Sequence, residues 1–183
     1  MNMQQNCSTF ANKSEPKVPL RPAVKYTEKR LLKFWRGGAA HITMAYETWG
    51  LIDRAGTNVV LILPGLSPDT HAASNGDDPR AGWWENMIGP SKPIDTNRFF
   101  VININHLGSC FGSSGPASLN EDGKPEGLNF PAISIEDLAA GAAFVLDHLD
   151  IQTVHSVIAP SMGGLVAQAF MLRFPTRFHN ALI

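Results

Sequence analysis

Thr153-Val154-His155-Ser156-Val157-Ile158-Ala159-Pro160-Ser161-Met162-Gly163-Gly164-Leu165 decides the fold. Its first half is β-branched and of strand length. Its second half is small and then helix-forming, and Ser161 stands at the junction. A strand that turns this sharply into a helix pushes one side chain out above the sheet, the arrangement called a nucleophile elbow. The positions two before and two after the serine must be small, because strand and helix backbones nearly touch there. Gly163 meets that need, and Ala159 meets it with one methyl group. The helix N-terminus beside Ser161 offers unpaired backbone N–H groups and a positive dipole end to a developing oxyanion. The plainer alternative is a serine that caps a helix after a buried strand in any α/β protein.

Outward from the elbow, the same alternation of strand and helix continues. Asn58-Val59-Val60-Leu61-Ile62-Leu63 is an apolar run of strand length, as expected for a strand covered on both faces, and Pro64-Gly65-Leu66-Ser67-Pro68 breaks it at once. Arg98 to Asn105 reads as a second such strand, and Trp83 to Ile88 as a short helix. Residues 106–131, rich in glycine, serine and proline, form a loop long enough to suggest a functional role. Ser134-x-x-Asp137 resembles a capping box, and the helix it opens carries Leu138, Ala142, Val145, Leu146 and Leu149 on one face. The elbow helix runs to about Phe174, where Pro175 stops it, and a further strand is expected from Asn180. Upstream, Leu31 to Trp35 and His41 to Trp49 read as two strands joined through Gly37-Gly38. Residues 1–24 are polar and read as a flexible tail ahead of one domain over residues 25–183. Alternating strands and helices predict an α/β fold with a mostly parallel sheet and flanking helices.

Composition narrows the function. The chain has 183 residues and a formal net charge of −1, so neither a nucleic acid nor a membrane surface is implied as a partner. It has no apolar run of transmembrane length, and Met1 to Lys17 lacks the apolar core of a signal peptide. Cys7 and Cys110 show no metal-ligand spacing, which fits a reducing cytoplasm and no bound metal. Asp77-Asp78 reads as a solvated loop, and Arg80, Lys92 and Lys124 as solvated charges. The glycines at 108, 112 and 115 lack the Gly-Lys-Ser/Thr ending of a phosphate cradle.

Several ordered blocks carry a resemblance. Ala45-Tyr46-Glu47-Thr48-Trp49-Gly50 comes first, then Gly82-Trp83-Trp84 with Gly89-Pro90-Ser91-Lys92-Pro93-Ile94-Asp95-Thr96. Leu107-Gly108-Ser109-Cys110 with Gly112-Ser113-Ser114-Gly115-Pro116, Gly123-Lys124-Pro125, Asn129-Phe130-Pro131 and Ser161-Met162-Gly163-Gly164 follow. From about Thr43 onward the chain resembles the homoserine O-acetyltransferase family of the α/β-hydrolase superfamily. The resemblance implies an α/β-hydrolase fold and a ping-pong transfer from an acyl-coenzyme A, acetyl or succinyl, to the hydroxyl of L-homoserine or L-serine. Such chemistry serves methionine or cysteine synthesis in the cytoplasm and needs no bound cofactor. It implies Ser161 as nucleophile and the N–H groups of Met162 and Leu66 as oxyanion donors, roughly 3 kcal/mol each by analogy with other oxyanion holes. It further implies an acceptor pocket lined by Gly65, Leu66, Ser67 and Pro68, and a homodimer at full length. The Leu-Ser-Pro form of that segment looks more like members that acylate serine. In this fold Asp and His follow the nucleophile, whereas the residues after Ser161 include His179 but no aspartate or glutamate. His71 and His106 read as satisfied loop histidines. The resemblance therefore implies an N-terminal part of such an enzyme, truncated after the nucleophile-elbow helix and inside the strand that follows it, with no useful turnover by itself. A hydrolase using water on the same acyl-enzyme, and a non-catalytic binding piece, are the alternatives.

Overall fold

The structure, a computed structural model, describes residues 24–30 and 40–183. Strands β1 (Val24–Arg30), β2 (Ala40–Trp49), β3 (Val59–Ile62), β4 (Ile88–Gly89), β5 (Ile94–Asp95) and β6 (Phe100–Ile104) precede helix α1 (Ile135–His148). Strand β7 (Val154–Ile158), helix α2 (Met162–Arg173) and strand β8 (Phe178–Leu182) complete the order. Six strands form one sheet in the order β1-β2-β6-β3-β7-β8. The pairs β6–β3, β3–β7 and β7–β8 are parallel, while β1–β2 and β2–β6 are antiparallel. The sheet is thus parallel around its centre, with an antiparallel pair on one side.

Strand β3 shows why an unbroken apolar run was needed. Val59, Leu61 and Leu63 pack with α1 and α2 in one core, while Val60 and Ile62 pack in a second core with Trp49, Ala72, Ala73, Ile88, Ile94 and Val101. Side chains alternate across a strand, so covering both faces requires apolar residues at every position. The second face is covered by the segment after β3 rather than by a helix. Gly82 lets that segment fold back, since a Cβ there would overlap the Ala72–Ala73 backbone. This packing replaces the expected helix at Trp83–Ile88: the residues form turns that lead into β4, which pairs with β5.

Helix α1 begins as anticipated. Ser134 accepts from Asp137 N, and the Asp137 carboxylate accepts from Ser134 N at 2.9 Å, a complete capping box. Leu138, Ala142, Val145 and Leu146 are buried, whereas Leu149 forms the C-cap and is partly buried. Helix α2 ends at Arg173 with Phe174 as its cap, just before Pro175. The last strand starts at Phe178, two residues earlier than expected. The antiparallel partner of β2 is β1, displaced from the Leu31–Trp35 strand read in the sequence, which lies outside the described residues, as does nearly all of the tail over residues 1–24. The loop over residues 106–131 contains one short 3₁₀ turn, Gly127–Asn129. Among the described residues, no helix is long and apolar enough to cross a membrane.

Candidate active site

The strand order creates the site. From β3 the chain crosses to β6 on one side, and from β6 it returns through α1 to β7 on the other. The carboxyl ends of β3 and β7 therefore flank a topological switch point, where open α/β sheets leave a crevice. Ser161 follows β7, and Pro64-Gly65-Leu66 follows β3.

Ser161 has φ 58° and ψ −127°, a conformation rare for any residue with a side chain. The local sequence explains how it is held. Gly163 lies so close to the end of β3 that a Cβ would penetrate Leu63 O and stand 2.7 Å from Pro64 O. Ala159 is fully buried, so the elbow closes around a methyl group. Ser161 itself is exposed and makes no capping hydrogen bond with its side chain. Across the crevice, a Cβ on Gly65 would lie 3.4 Å from Ser161 Cβ and 3.7 Å from its Oγ.

Two segments flanking the crevice carry backbone N–H groups with no acceptor among the described residues. Met162 is the first residue of α2, whose N-terminal N–H groups have no intrahelical acceptor. Among the described residues, no hydrogen bond is donated by the N–H groups of Gly65, Leu66 or Ser67. Leu66 is strongly exposed, while Ser67 and Pro68 line a cleft of about 320 Å³ together with Asp69, Arg80, Trp83 and Phe111. The four residues read as an acceptor pocket are thus divided, with Gly65 beside the serine, Leu66 exposed, and Ser67 and Pro68 on the cleft wall.

The cleft wall carries a charged network, through His71 and Arg80, that sequence reading missed. His71 Nδ1 is 3.0 Å from Glu47 Oε2, and His71 Nε2 is 2.9 Å from Arg80 O. Both acceptors are oxygens without protons, so satisfying both contacts requires the imidazolium. Burial works against that charge, but the hydrogen bonds to Arg80 O and Glu47, with the nearby charges of Glu47 and Asp78, raise the His71 pKa overall. Asp78 is buried and accepts from Arg80 Nε at 2.8 and 3.1 Å and from Arg80 Nη2. The Arg80 hydrogen bonds, opposed by burial, hold its carboxyl down at about 2. Asp78 and Arg80 are therefore a buried carboxylate and its partner, not solvated loop charges. Lys92 likewise pairs with Glu85 at 3.0 Å. Trp83 and Trp84 stack at 5.1 Å, and Trp83 Nε1 donates to Asp69 O.

His106 is also buried, and its Nε2 lies 2.9 Å from Pro64 O. His179 is an exposed residue of β8. Among the described residues, no hydrogen bond joins Ser161 Oγ to a histidine or a carboxylate, and no group of three or more His, Cys, Asp or Glu residues is suited to a metal ion.

Comparison with known proteins adds independent information. The family model described as alpha/beta hydrolase fold matches residues 58–182. A serine O-succinyltransferase of Litchfieldella anticariensis is 50% identical over 153 residues, which are 82% of this chain and 42% of that protein. A homoserine O-acetyltransferase from Bacillus anthracis superposes with a TM-score of 0.72 at 32% identity, over 86% of this chain and 46% of that one. Esterase E22 superposes with a TM-score of 0.72 at 33% identity, over 85% of this chain and 45% of that one. The chain spans about two fifths of the length of the curated relatives it matches.

Proposed function

Because this chain belongs to the alpha/beta hydrolase fold family, we propose that it is the nucleophile-bearing part of an amino-acid O-acyltransferase, with succinyl-coenzyme A as donor and L-serine as acceptor. Ser161 Oγ attacks the thioester carbonyl, and coenzyme A leaves as the thiol. The hydroxyl of L-serine then attacks the ester on Ser161, releasing O-succinyl-L-serine and restoring the serine. The Met162 and Leu66 N–H groups take the oxyanion in both steps.

One observation carries this reading: the strained Ser161 faces, across 3.4 Å from a Gly65 Cβ position, a loop whose Gly65, Leu66 and Ser67 N–H groups donate to no described acceptor. Strain at a single non-glycine residue costs about 1–3 kcal/mol and persists where the surroundings enforce it. A helix-capping serine needs no such conformation. The succinyl group and the serine acceptor follow the serine O-succinyltransferase relative, at 50% identity, while the coenzyme A thioester follows the family resemblance. A base must also take the Oγ proton, and the described residues place none there. Transfer by these residues alone is expected to be slow, since a nucleophile and oxyanion hole without the full triad retain only about 10³–10⁴ over the uncatalysed rate.

The test incubates the purified protein with succinyl-coenzyme A, with and without L-serine, and follows products and the Ser161 peptide by mass spectrometry. The expected result is a succinyl adduct on Ser161, discharged to O-succinyl-L-serine when L-serine is added and absent in S161A. Release of free succinate at one rate, whether or not L-serine is present, would overturn transfer in favour of an esterase, the activity named for one structural neighbour. An adduct that survives S161A would remove Ser161 as the nucleophile.

A further inference from the structure

Strand β6 and the two residues after it carry three buried polar side chains in an otherwise apolar run: Asn103, Asn105 and His106. Each donates to a carbonyl of the loop that follows β3. Asn103 Nδ2 reaches Asp69 O at 3.1 Å and Thr70 O at 2.8 Å, and Asn105 Nδ2 reaches Pro68 O at 3.3 Å. His106 Nε2 reaches Pro64 O at 2.9 Å. The loop is held by its carbonyls, and its N–H groups at Gly65, Leu66 and Ser67 donate to no described acceptor.

The His106 contact lies nearest the chemistry. Leu63 N still pairs with Ile158 O, so Pro64 is the first residue to leave the sheet. Proline has no N–H, which leaves its carbonyl as its sole backbone anchor. In a planar trans peptide, the carbonyl and the following N–H point in opposite directions. Turning Pro64 O toward His106 therefore turns the Gly65 N–H away from it, and sets the direction in which Leu66 continues. The ring is suited to that fixed task. A carbonyl can only accept, so Nε2 carries the proton. Nδ1 is buried with no hydrogen-bond partner, so it holds a bare lone pair. Burial, opposed by the Pro64 bond, keeps the pKa below the usual histidine value, and the ring stays neutral.

We propose that His106 is a positioning residue. Through Pro64 O it sets the rotation of the Pro64–Gly65 peptide, and so fixes the start of the loop that carries the Leu66 N–H toward the acyl oxygen on Ser161. This rests on the acyl-transfer reading above for its chemical consequence, but not for its geometry.

Two variants and one measurement on the unaltered protein test it. H106Q keeps a side-chain N–H donor near the position of Nε2, whereas H106F fills the space without one. In ¹H–¹⁵N spectra, the Gly65 and Leu66 amides are expected to move in H106F and to return in H106Q, with the β7 amides unmoved in both. Where succinyl transfer is measured, H106F is expected to lower kcat by about 10–100-fold, up to the loss from misplacing a catalytic group and below that from removing an oxyanion donor outright, with KM for succinyl-coenzyme A nearly unchanged. H106Q is expected to recover most of the loss. Unmoved Gly65 and Leu66 amides in H106F would overturn the proposal, as would equal kcat in H106F and the parent. In the unaltered protein, long-range ¹H–¹⁵N correlations of the His106 ring are expected to show a protonated Nε2 and a bare Nδ1. The opposite tautomer would overturn the proposal without any variant having to fold. If S161A transferred succinyl as well as the parent, the acyl-transfer reading would fall, while the amide and ring spectra would still decide the role of His106.

Discussion

Replacing Gly163 with alanine tests whether the elbow is as tightly closed as its geometry states. Two opposing effects can be weighed. Gly163 lies in the first turn of α2, where alanine is favoured over glycine by about 1 kcal/mol in a helix. Against this, the new methyl would penetrate Leu63 O and stand 2.7 Å from Pro64 O, where ordinary contact begins at 3.4 Å. Both obstacles are backbone atoms of a buried strand end, so neither yields as a flexible side chain would. Overpacking of this kind costs about 3 kcal/mol, the upper part of its usual range. The net expectation is a loss of about 2 kcal/mol, or about 4–8 °C in Tm for a chain of this size. Thermal unfolding followed by circular dichroism reads it directly. Gly76→Ala is the matched control, because nothing lies within 4 Å of its Cβ position and no positive φ is required there. It should be neutral or stabilising by up to about 1 kcal/mol. Equal stability of G163A and the parent would refute the close approach of strand and helix on which the site depends.

Other outcomes follow from the same contacts. Ser161→Gly should raise stability by about 1 kcal/mol, measured as a higher urea midpoint, because glycine relaxes at φ 58° what serine holds under strain. It should abolish acylation at the same time. His71 has a folded pKa raised above its unfolded value near 6.5, so its stabilisation is complete below about pH 6.5 and is lost as pH rises through the folded value. Urea midpoints across that range should fall with pH, and the fall should be smaller in H71Q. Ser134→Ala removes one half of the α1 capping box and should cost about 1 kcal/mol in chemical unfolding.

What the sequence made legible was whatever depends on neighbours along the chain. The β3 and β6 runs were readable because strands buried on both faces must be apolar at nearly every position. The capping box at Ser134 and Asp137 was readable because its two partners are three residues apart. The elbow was readable because small residues flank Ser161 at fixed spacing. Trp83–Ile88 failed for the opposite reason. Its apolar spacing mimics a helix, but the segment bonds back to residues twelve positions earlier, through Trp83 N to His71 O and Trp84 N to Ala72 O. The His71–Glu47 contact joins two distant segments, and no local pattern announces it. Asn103 and Asn105 did leave a signal: two amides inside an apolar run must find buried partners, and the nearest loop carbonyls supply them.

The parallel pairing of β3 with β7 also orders events in time. Val60 pairs with Ser156, roughly a hundred residues away, and that union brings Ser161 opposite Gly65. Closing so long a segment costs about 2 kcal/mol more in chain entropy than closing a ten-residue one, so local hairpins and helix α1 have a head start. The crevice is therefore expected to assemble after these local elements. A nascent chain can hold its capped helix and the β1–β2 pair while the reactive serine still has nothing across from it, which defers reactivity until the sheet is knit.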